Sequence, residues 1–151
     1  MLRLCCRGLI LVRPGLFIAV GLGSALGAVL RFGASLWLTN FDTSLPLATL
    51  MVNMLGSFWI GCYAILTGDT GCWQVSVWQK QFMLSGVCAG FTTFSVFSLE
   101  FMQLLQAGKI ALATGYVILS LMLWLLACWA GLKAGEWANG ISSADKGAKS
   151  G

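Results

Sequence analysis

The stretch Gly86-Val-Cys-Ala-Gly-Phe-Thr-Thr-Phe-Ser-Val-Phe97 occupies the middle of an apolar run from about Phe82 to Leu105. A run of this length can cross a bilayer as one helix, which needs about 20 residues. Glycine and hydroxyl residues crowd its centre, however, and glycine weakens a helix interior. We therefore predict a spanning helix that breaks near its midpoint. Non-helical backbone is tolerated at that depth only where protein, water or ions bind its N–H and C=O groups. The break therefore marks a candidate functional site.

Three further apolar runs of spanning length flank this one and predict an all-α membrane protein with four transmembrane helices. They extend from Gly15 to Leu38, from Leu45 to Leu66 and from Ile110 to Leu132. Of the 151 residues, 58% are hydrophobic and 9% are charged, and the mean hydropathy is +0.86. Soluble domains carry about 25% charged residues, so this composition excludes an ordinary water-soluble fold.

The remaining residues divide the chain into three parts. Residues 1–14 form a basic N-terminal leader, residues 15–132 form the four-helix transmembrane domain, and residues 133–151 form a polar C-terminal tail. The tail is rich in Gly, Ser and Lys, and we expect it to be disordered because it has little apolar surface to bury.

The sequence contains no recognisable catalytic or zinc-binding constellation. Histidine is absent, which removes the commonest general base and the commonest metal ligand. None of the six cysteines forms a CxxC pair. We predict that the protein is not an enzyme.

Two glycines and an arginine that lies within the apolar run share a face of the first span. Gly23 and Gly27 are four residues apart, and Arg31 follows one turn later. Two interpretations stay open here. The glycines allow close helix packing while the arginine snorkels to water, or the arginine supplies a positive field at an anion entrance.

Pairs of polar residues also share a face in the second and fourth spans. Asn53 and Ser57 are four residues apart, as are Tyr116 and Ser120. Either the pairs make hydrogen bonds to neighbouring helices or to their own backbone, or their N–H and O–H groups donate to an anion.

The third span adds two aromatic rings and one acid. Phe94 and Phe97 lie on one face, and the positive edge of a phenyl ring can receive an anion without a buried cation. As an isolated pattern, two phenylalanines at this spacing also fit simple packing. Glu100 is the only acid deep in a span, and it fits either a coupling carboxylate or a vestibule residue.

Together these segments resemble the CrcB/Fluc family of fluoride channels from bacterial inner membranes. The matching pieces are Gly23-Ser-Ala-Leu-Gly27-Ala-Val-Leu-Arg31, Val52-Asn53-Met-Leu-Gly56-Ser57, and the third-span stretch from Gly86 through Glu100, with Tyr116 and Ser120 in the fourth span. Their order and spacing agree with the family, and the resemblance covers about residues 15–132.

The resemblance implies a double-barrelled channel in which two subunits pack antiparallel and their broken third helices cross at the centre. It assigns the fluoride pore to Asn53, Phe94, Phe97, Ser95, Tyr116 and Ser120, and the vestibules to Arg31 and Glu100. It also implies a structural Na⁺ bound by the backbone carbonyls of Ala89 and Thr92. The implied function is passive, fluoride-selective export across the cell inner membrane, which protects the cell from fluoride trapped inside it.

Three features depart from the family pattern. Ala89 stands where the family usually has glycine, and its Cβ makes a positive φ costly. In the family, a small hydroxyl residue often continues the polar face formed by Tyr116 and Ser120, and Trp124 stands at that position. Either its bulk narrows one end of the pore, or its N–H donates to the anion in place of the hydroxyl. Seven basic residues lie on the side of the termini and only Lys109 lies opposite, which predicts one dominant orientation. Either the partner is an oppositely oriented paralogue, or the extra charges of the leader and tail have little effect and the partner is an identical chain.

The main alternative is a small four-helix, proton-coupled exporter of drugs or metabolites. Such a carrier needs a membrane-embedded carboxylate, and only Glu100 is available for that role.

Overall fold

The structure is a computed structural model that describes residues 14–38, 46–69 and 71–149, the last nine of these by their backbone only. Within these ranges the regular structure is entirely helical. Except for Pro14, the predicted basic leader lies outside the described residues.

Six α-helices and one π-helical segment follow one another along the chain. They are α1 (Pro14–Leu38), α2 (Leu47–Leu66), α3 (Val77–Gln81), the π-helical segment (Phe82–Cys88), α4 (Ala89–Phe91), α5 (Phe94–Gln106) and α6 (Ile110–Lys149). Four stretches are long and apolar enough to cross a membrane, namely Pro14–Leu38, Leu47–Leu66, Val77–Gln106 and Ile110–Gly140. The prediction of four spans is confirmed, and the chain is a multi-pass membrane protein.

The third span begins earlier than the apolar run suggests and is broken where predicted. Ser76 caps its start, because its hydroxyl accepts from the N–H of Gln79 at 3.3 Å and its own N–H donates to Gln79 Oε1 at 3.0 Å. The backbone then leaves the helix at Thr92 (φ −75°, ψ 153°) and Thr93 (φ −146°, ψ 121°). We call residues 77–91 the first half-helix and α5 the second half-helix.

Glycines bring α1 against the first half-helix with almost no space between the backbones. A Cβ on Gly23 would lie 2.9 Å from the Cα of Gly86, and a Cβ on Gly90 would lie 2.7 Å from the Cα of Ser24. On Gly27, a Cβ would collide with backbone atoms of the same half-helix. Small residues permit this close approach in a membrane, where packing drives helix association. The packing interpretation of the Gly23 and Gly27 pair is therefore confirmed.

A second glycine interface joins α2 to α6. A Cβ on Gly61 would lie 3.0 Å from the backbone N of Leu132, and a Cβ on Gly131 would lie 3.1 Å from the backbone N of Cys62. The bundle thus consists of two tightly packed layers, α1 with the first half-helix and α2 with α6.

The prediction of a disordered tail is wrong for the backbone as far as Lys149. Helix α6 continues through 40 residues without interruption. Extending an existing helix adds one hydrogen bond per residue and needs no new nucleus, so glycine and serine are tolerated there. An ion pair between Lys133 and Glu136, with N and O 2.8 Å apart, supports the first polar turn.

Candidate functional site

The side chain of Asn53 pairs with the broken backbone of the third span. The N–H of Thr93 donates to Asn53 Oδ1 at 2.7 Å, and Asn53 Nδ2 donates to the carbonyl of Thr93 at 2.9 Å. Asn53 is only 4% exposed, so the pair is sheltered from water. Unwound backbone at this depth needs partners, and one amide supplies both. The interhelical hydrogen bond is confirmed, while the expected role of Asn53 towards an anion stays a prediction.

Gly56 makes room for this arrangement on the same helix. A Cβ at Gly56 would collide with Cγ2 of Thr92, the first extended residue of the break. A larger residue at Gly56 would therefore require Thr92 to move its side chain, next to the two hydrogen bonds of Asn53.

The carbonyl oxygens of Ala89 and Thr92 are among those that lose their backbone donors at the break. In a continuous helix the N–H of Thr93 would donate to Ala89, but here it donates to Asn53. Likewise the N–H of Val96, which would donate to Thr92, is bound by the hydroxyl of Thr93 at 3.3 Å. Among the described residues no backbone N–H donates to either carbonyl, and only the Thr92 hydroxyl approaches that of Ala89, at 3.5 Å. Both oxygens therefore lack a backbone donor and have lone pairs that a cation can use.

The alanine at position 89 does not strain this turn. Its backbone has φ −67° and ψ −35°, which is ordinary right-handed helix. A Cβ would be costly here only at a positive φ, so the departure from the usual glycine is accommodated without that cost.

Phe97 is the centre of an aromatic cluster between α5 and α6. It is 5% exposed, and its ring centroid lies 5.2 Å from that of Tyr116 and 4.9 Å from that of Trp124. Phe94 lies 5.6 Å from Phe97 but is 70% exposed. The structure therefore places the two predicted pore rings side by side, one buried in the bundle and one on its surface.

Two hydroxyl groups hold the carboxylate of Glu100. Thr49 donates to Oε1 at 2.6 Å from α2, and Tyr116 donates to Oε2 at 2.8 Å from α6. Both donors are buried, with 5% and 2% of their surfaces exposed. Sequence reasoning missed Thr49, although it lies four residues before Asn53 and so extends the polar face of that helix by one turn.

Ser120 and Trp124 continue the face of α6 on which Tyr116 lies. Ser120 is fully buried, and its hydroxyl makes no hydrogen bond among the described residues. The indole nitrogen of Trp124 is likewise buried and unpaired in that part of the chain. The expected alternative for Ser120, a hydroxyl bond to its own backbone, is wrong.

Ser95 and Arg31 lie apart from this buried cluster. The hydroxyl of Ser95 is 3.2 Å from that of Thr93, and the residue is exposed beside the break. Arg31 is partly buried on α1, and its Nε has no hydrogen-bond partner in the described ranges. No ion pair joins Arg31 to Glu100 within those ranges.

A small cavity lies against the break. It has a volume of about 200 Å³ and is lined by Asn53, Ser57, Ile60, Thr92, Thr93, Phe94 and Trp124. The break, the polar face of α2 and the exposed ring of Phe94 therefore meet around one space.

A family model described as "CrcB-like protein, Camphor Resistance (CrcB)" matches residues 18–132. The chain belongs to the CrcB family. The matched range begins inside the first span, ends inside the fourth and contains every site residue described above, so the resemblance seen in the sequence is confirmed.

Relatives within the CrcB family match most of the chain. A "Fluoride-specific ion channel FluC 1" from Rhodopseudomonas palustris is 42% identical over 120 residues, which is 79% of this chain and 85% of that protein. A "Fluoride-specific ion channel FluC" from Opitutus terrae is 42% identical over 127 residues, covering 83% and 96%. Another of that name from Paracoccus denitrificans is 40% identical over 120 residues, covering 80% and 94%.

Proposed function

We propose that this chain is a fluoride-specific ion channel that conducts fluoride passively out of the cytoplasm. The observation that carries the proposal is 42% identity over 96% of a relative named as such a channel. The chain is then a transport protein of the bacterial inner membrane and not an enzyme. Fluoride accumulates inside cells as HF enters and dissociates, and a passive anion pathway lets it leave, which protects the cell.

The site chemistry supports a fluoride pathway built without a buried lysine or arginine. Fluoride is small and strongly hydrated, so a pore must replace its water with close donors. The buried donors here are hydroxyl, amide and indole groups, beside the positive edges of Phe94 and Phe97. Each is a weak site, and conduction requires sites that bind an ion and also release it. Arg31 and Glu100 would serve the entrances.

The exposed groups at the break support a second subunit. Phe94 is 70% exposed, and Ala89 and Ser95 are exposed near it. Free carbonyls and hydroxyls at mid-membrane depth are costly against lipid tails. An antiparallel copy of this chain, or an oppositely oriented paralogue, would cover them and close the cavity of about 200 Å³ into a pathway.

A structural Na⁺ at the break fits the residues present. The carbonyls of Ala89 and Thr92 have lost their helical donors, and unwound carbonyls are the groups that hold sodium in other membrane proteins. The ion would supply a fixed positive charge that satisfies these oxygens from both subunits.

Sodium removal is expected to destabilise the protein. We expect the midpoint of thermal unfolding in detergent to fall by several degrees when NaCl is replaced by N-methyl-D-glucamine chloride, because the two carbonyls lose their partner. Potassium at equal ionic strength is the control, since it is too large for a sodium-sized site. Equal midpoints in all three salts would remove the sodium from the proposal.

Fluoride efflux from liposomes tests the function directly. We expect purified protein to release trapped fluoride, measured with a fluoride electrode, and to retain trapped chloride. Phe94→Ile is expected to slow fluoride efflux at least tenfold, because an aliphatic side chain has no positive ring edge. Phe32→Ile is the matched control, since Phe32 is a similarly exposed phenylalanine on α1. Release of chloride at the fluoride rate, or no release of either ion, contradicts the proposal.

The proton-coupled exporter is a weaker candidate. Both oxygens of Glu100 already accept hydrogen bonds from Thr49 and Tyr116, whereas a coupling carboxylate must exchange a proton with substrate and water. Uptake of a fluorescent cation driven by a pH gradient would favour that alternative.

A further inference from the structure

The indole of Trp124 is a buried donor without an acceptor. Its Nε1 has no hydrogen-bond partner among the described residues, and it is not open to water. An indole N–H donates only and accepts nothing, so an acceptor must meet it. A buried donor that makes no hydrogen bond costs free energy, so an unpaired donor in a native structure requires an explanation.

Neighbouring donors on the proposed pathway are engaged in whole or in part. Tyr116 donates its hydroxyl to Glu100, and one of the two N–H groups of Asn53 Nδ2 donates to the carbonyl of Thr93. On the buried face of α6 that begins at Tyr116, the donors left free are Ser120 and, one turn later, Trp124.

The position of Trp124 joins the buried cluster to the cavity at the break. Its ring meets Phe97 edge-on, with centroids 4.9 Å apart and planes 70° apart. The same residue lines the cavity of about 200 Å³ together with Asn53 and Phe94. Tyr116 and Trp124 are eight residues apart, or about 12 Å along the helix. An anion moving from Ser120 towards the cavity therefore passes the indole.

We infer that Trp124 is an anion-contacting residue that helps to select fluoride, donating its indole N–H to the ion between Ser120 and the cavity. This inference rests on the proposed function. A neutral N–H binds an anion without the strong hold of a fixed cation, and fluoride is a far better hydrogen-bond acceptor than chloride. The large ring, held against Phe97, also leaves little room for the larger ion.

Nuclear magnetic resonance of the indole groups tests the contact. The chain has seven tryptophans, and ¹⁵N labelling gives each one an indole signal. With the signal of Trp124 assigned by its loss in Trp124→Phe, we expect fluoride to move that proton signal downfield until it saturates. Chloride at equal concentration is expected to leave it in place. Trp129, 60% exposed on the same helix, provides an internal signal that should not respond to either ion.

Efflux measurements test the function of the contact. Trp124→Phe keeps an aromatic ring against Phe97 but removes the N–H, and we expect fluoride efflux to slow at least tenfold. A benzothiophene analogue of tryptophan at position 124 keeps the ring size and also lacks the N–H, so it should behave in the same way if Trp124→Phe fails to fold. Trp129→Phe is the matched control and should conduct as the wild type does.

Two sets of results separate the possible failures. If wild-type vesicles conduct fluoride but the Trp124 signal ignores it, or both variants conduct at the wild-type rate or faster, the inference is overturned and the proposed function survives. If wild-type vesicles retain fluoride, the proposed function fails and the inference fails with it.

Discussion

Asn53→Asp is expected to abolish fluoride efflux and to weaken the fold. The substitution replaces Nδ2, which donates to the Thr93 carbonyl at 2.9 Å, with an oxygen that faces another oxygen. It also places a carboxylate at a position that is 4% exposed. An uncompensated buried charge costs about 3–5 kcal/mol, so we expect a loss of that order in the free energy of unfolding.

The effect on transport adds to the effect on stability. Two like charges about 4 Å apart repel by about 4 kcal/mol at an effective dielectric constant of about 20. A fluoride ion that passes close to the new carboxylate would therefore move about a thousandfold more slowly.

Thermal unfolding in detergent and fluoride-electrode efflux from liposomes measure the two effects separately. Met51→Leu is the control, because Met51 is exposed one half-turn away on the same helix. Wild-type efflux from Asn53→Asp vesicles would remove Asn53 from the pathway. A wild-type unfolding midpoint would contradict its role in holding the break.

Gly27→Val is expected to separate α1 from the first half-helix. The new Cβ would collide with the carbonyl oxygen of Val87 and would lie 2.8 Å from the backbone N of Phe91. Backbone atoms cannot rotate away as a side chain can, so the helices must move apart. Overpacking typically costs about 1–3 kcal/mol, and we expect about 3 kcal/mol here because the collision is with backbone.

The midpoint of thermal unfolding in detergent measures this effect, and α1 itself supplies the control. Gly33 lies on the same helix, and a Cβ added there would have no atom within 4 Å, so Gly33→Val should leave the midpoint almost unchanged. If the two variants unfold at the same temperature, the glycine contact is not what holds α1 in place.

The four spans were predictable because the bilayer fixes the length of apolar sequence that a spanning helix needs. The thickness of the hydrocarbon core sets the length of a spanning helix, so apolar runs alone predicted the first two spans to within two residues and the start of the fourth at Ile110, although α6 continues beyond Leu132. The predicted start of the first span at Gly15 differs by one residue from Pro14, where α1 begins. The third span was predicted too short, because Gln79, Lys80 and Gln81 are polar, whereas the capping pair of Ser76 and Gln79 starts the helix before them.

The site was predictable only in part. The break followed from glycines and hydroxyls clustered in one span, and the polar faces of α2 and α6 followed from residues spaced four apart. The partners of those residues did not follow, because they depend on which faces meet. Thr49 and Tyr116 come from different helices and meet only at Glu100.

By itself, the sequence determined that this is a four-span membrane protein whose third helix is interrupted. Its glycine, polar and aromatic residues also sufficed to show the resemblance to the family. Only the tertiary structure decided that Asn53 pairs with the broken backbone, that the carbonyls of Ala89 and Thr92 have no backbone donor in the described ranges, and that the indole of Trp124 has no acceptor there. The physical reason is that hydrophobicity and helix period are local properties of a chain. Hydrogen-bond partners depend on the rotation and separation of the helices. These are fixed only when the helices pack, here through the glycine contacts.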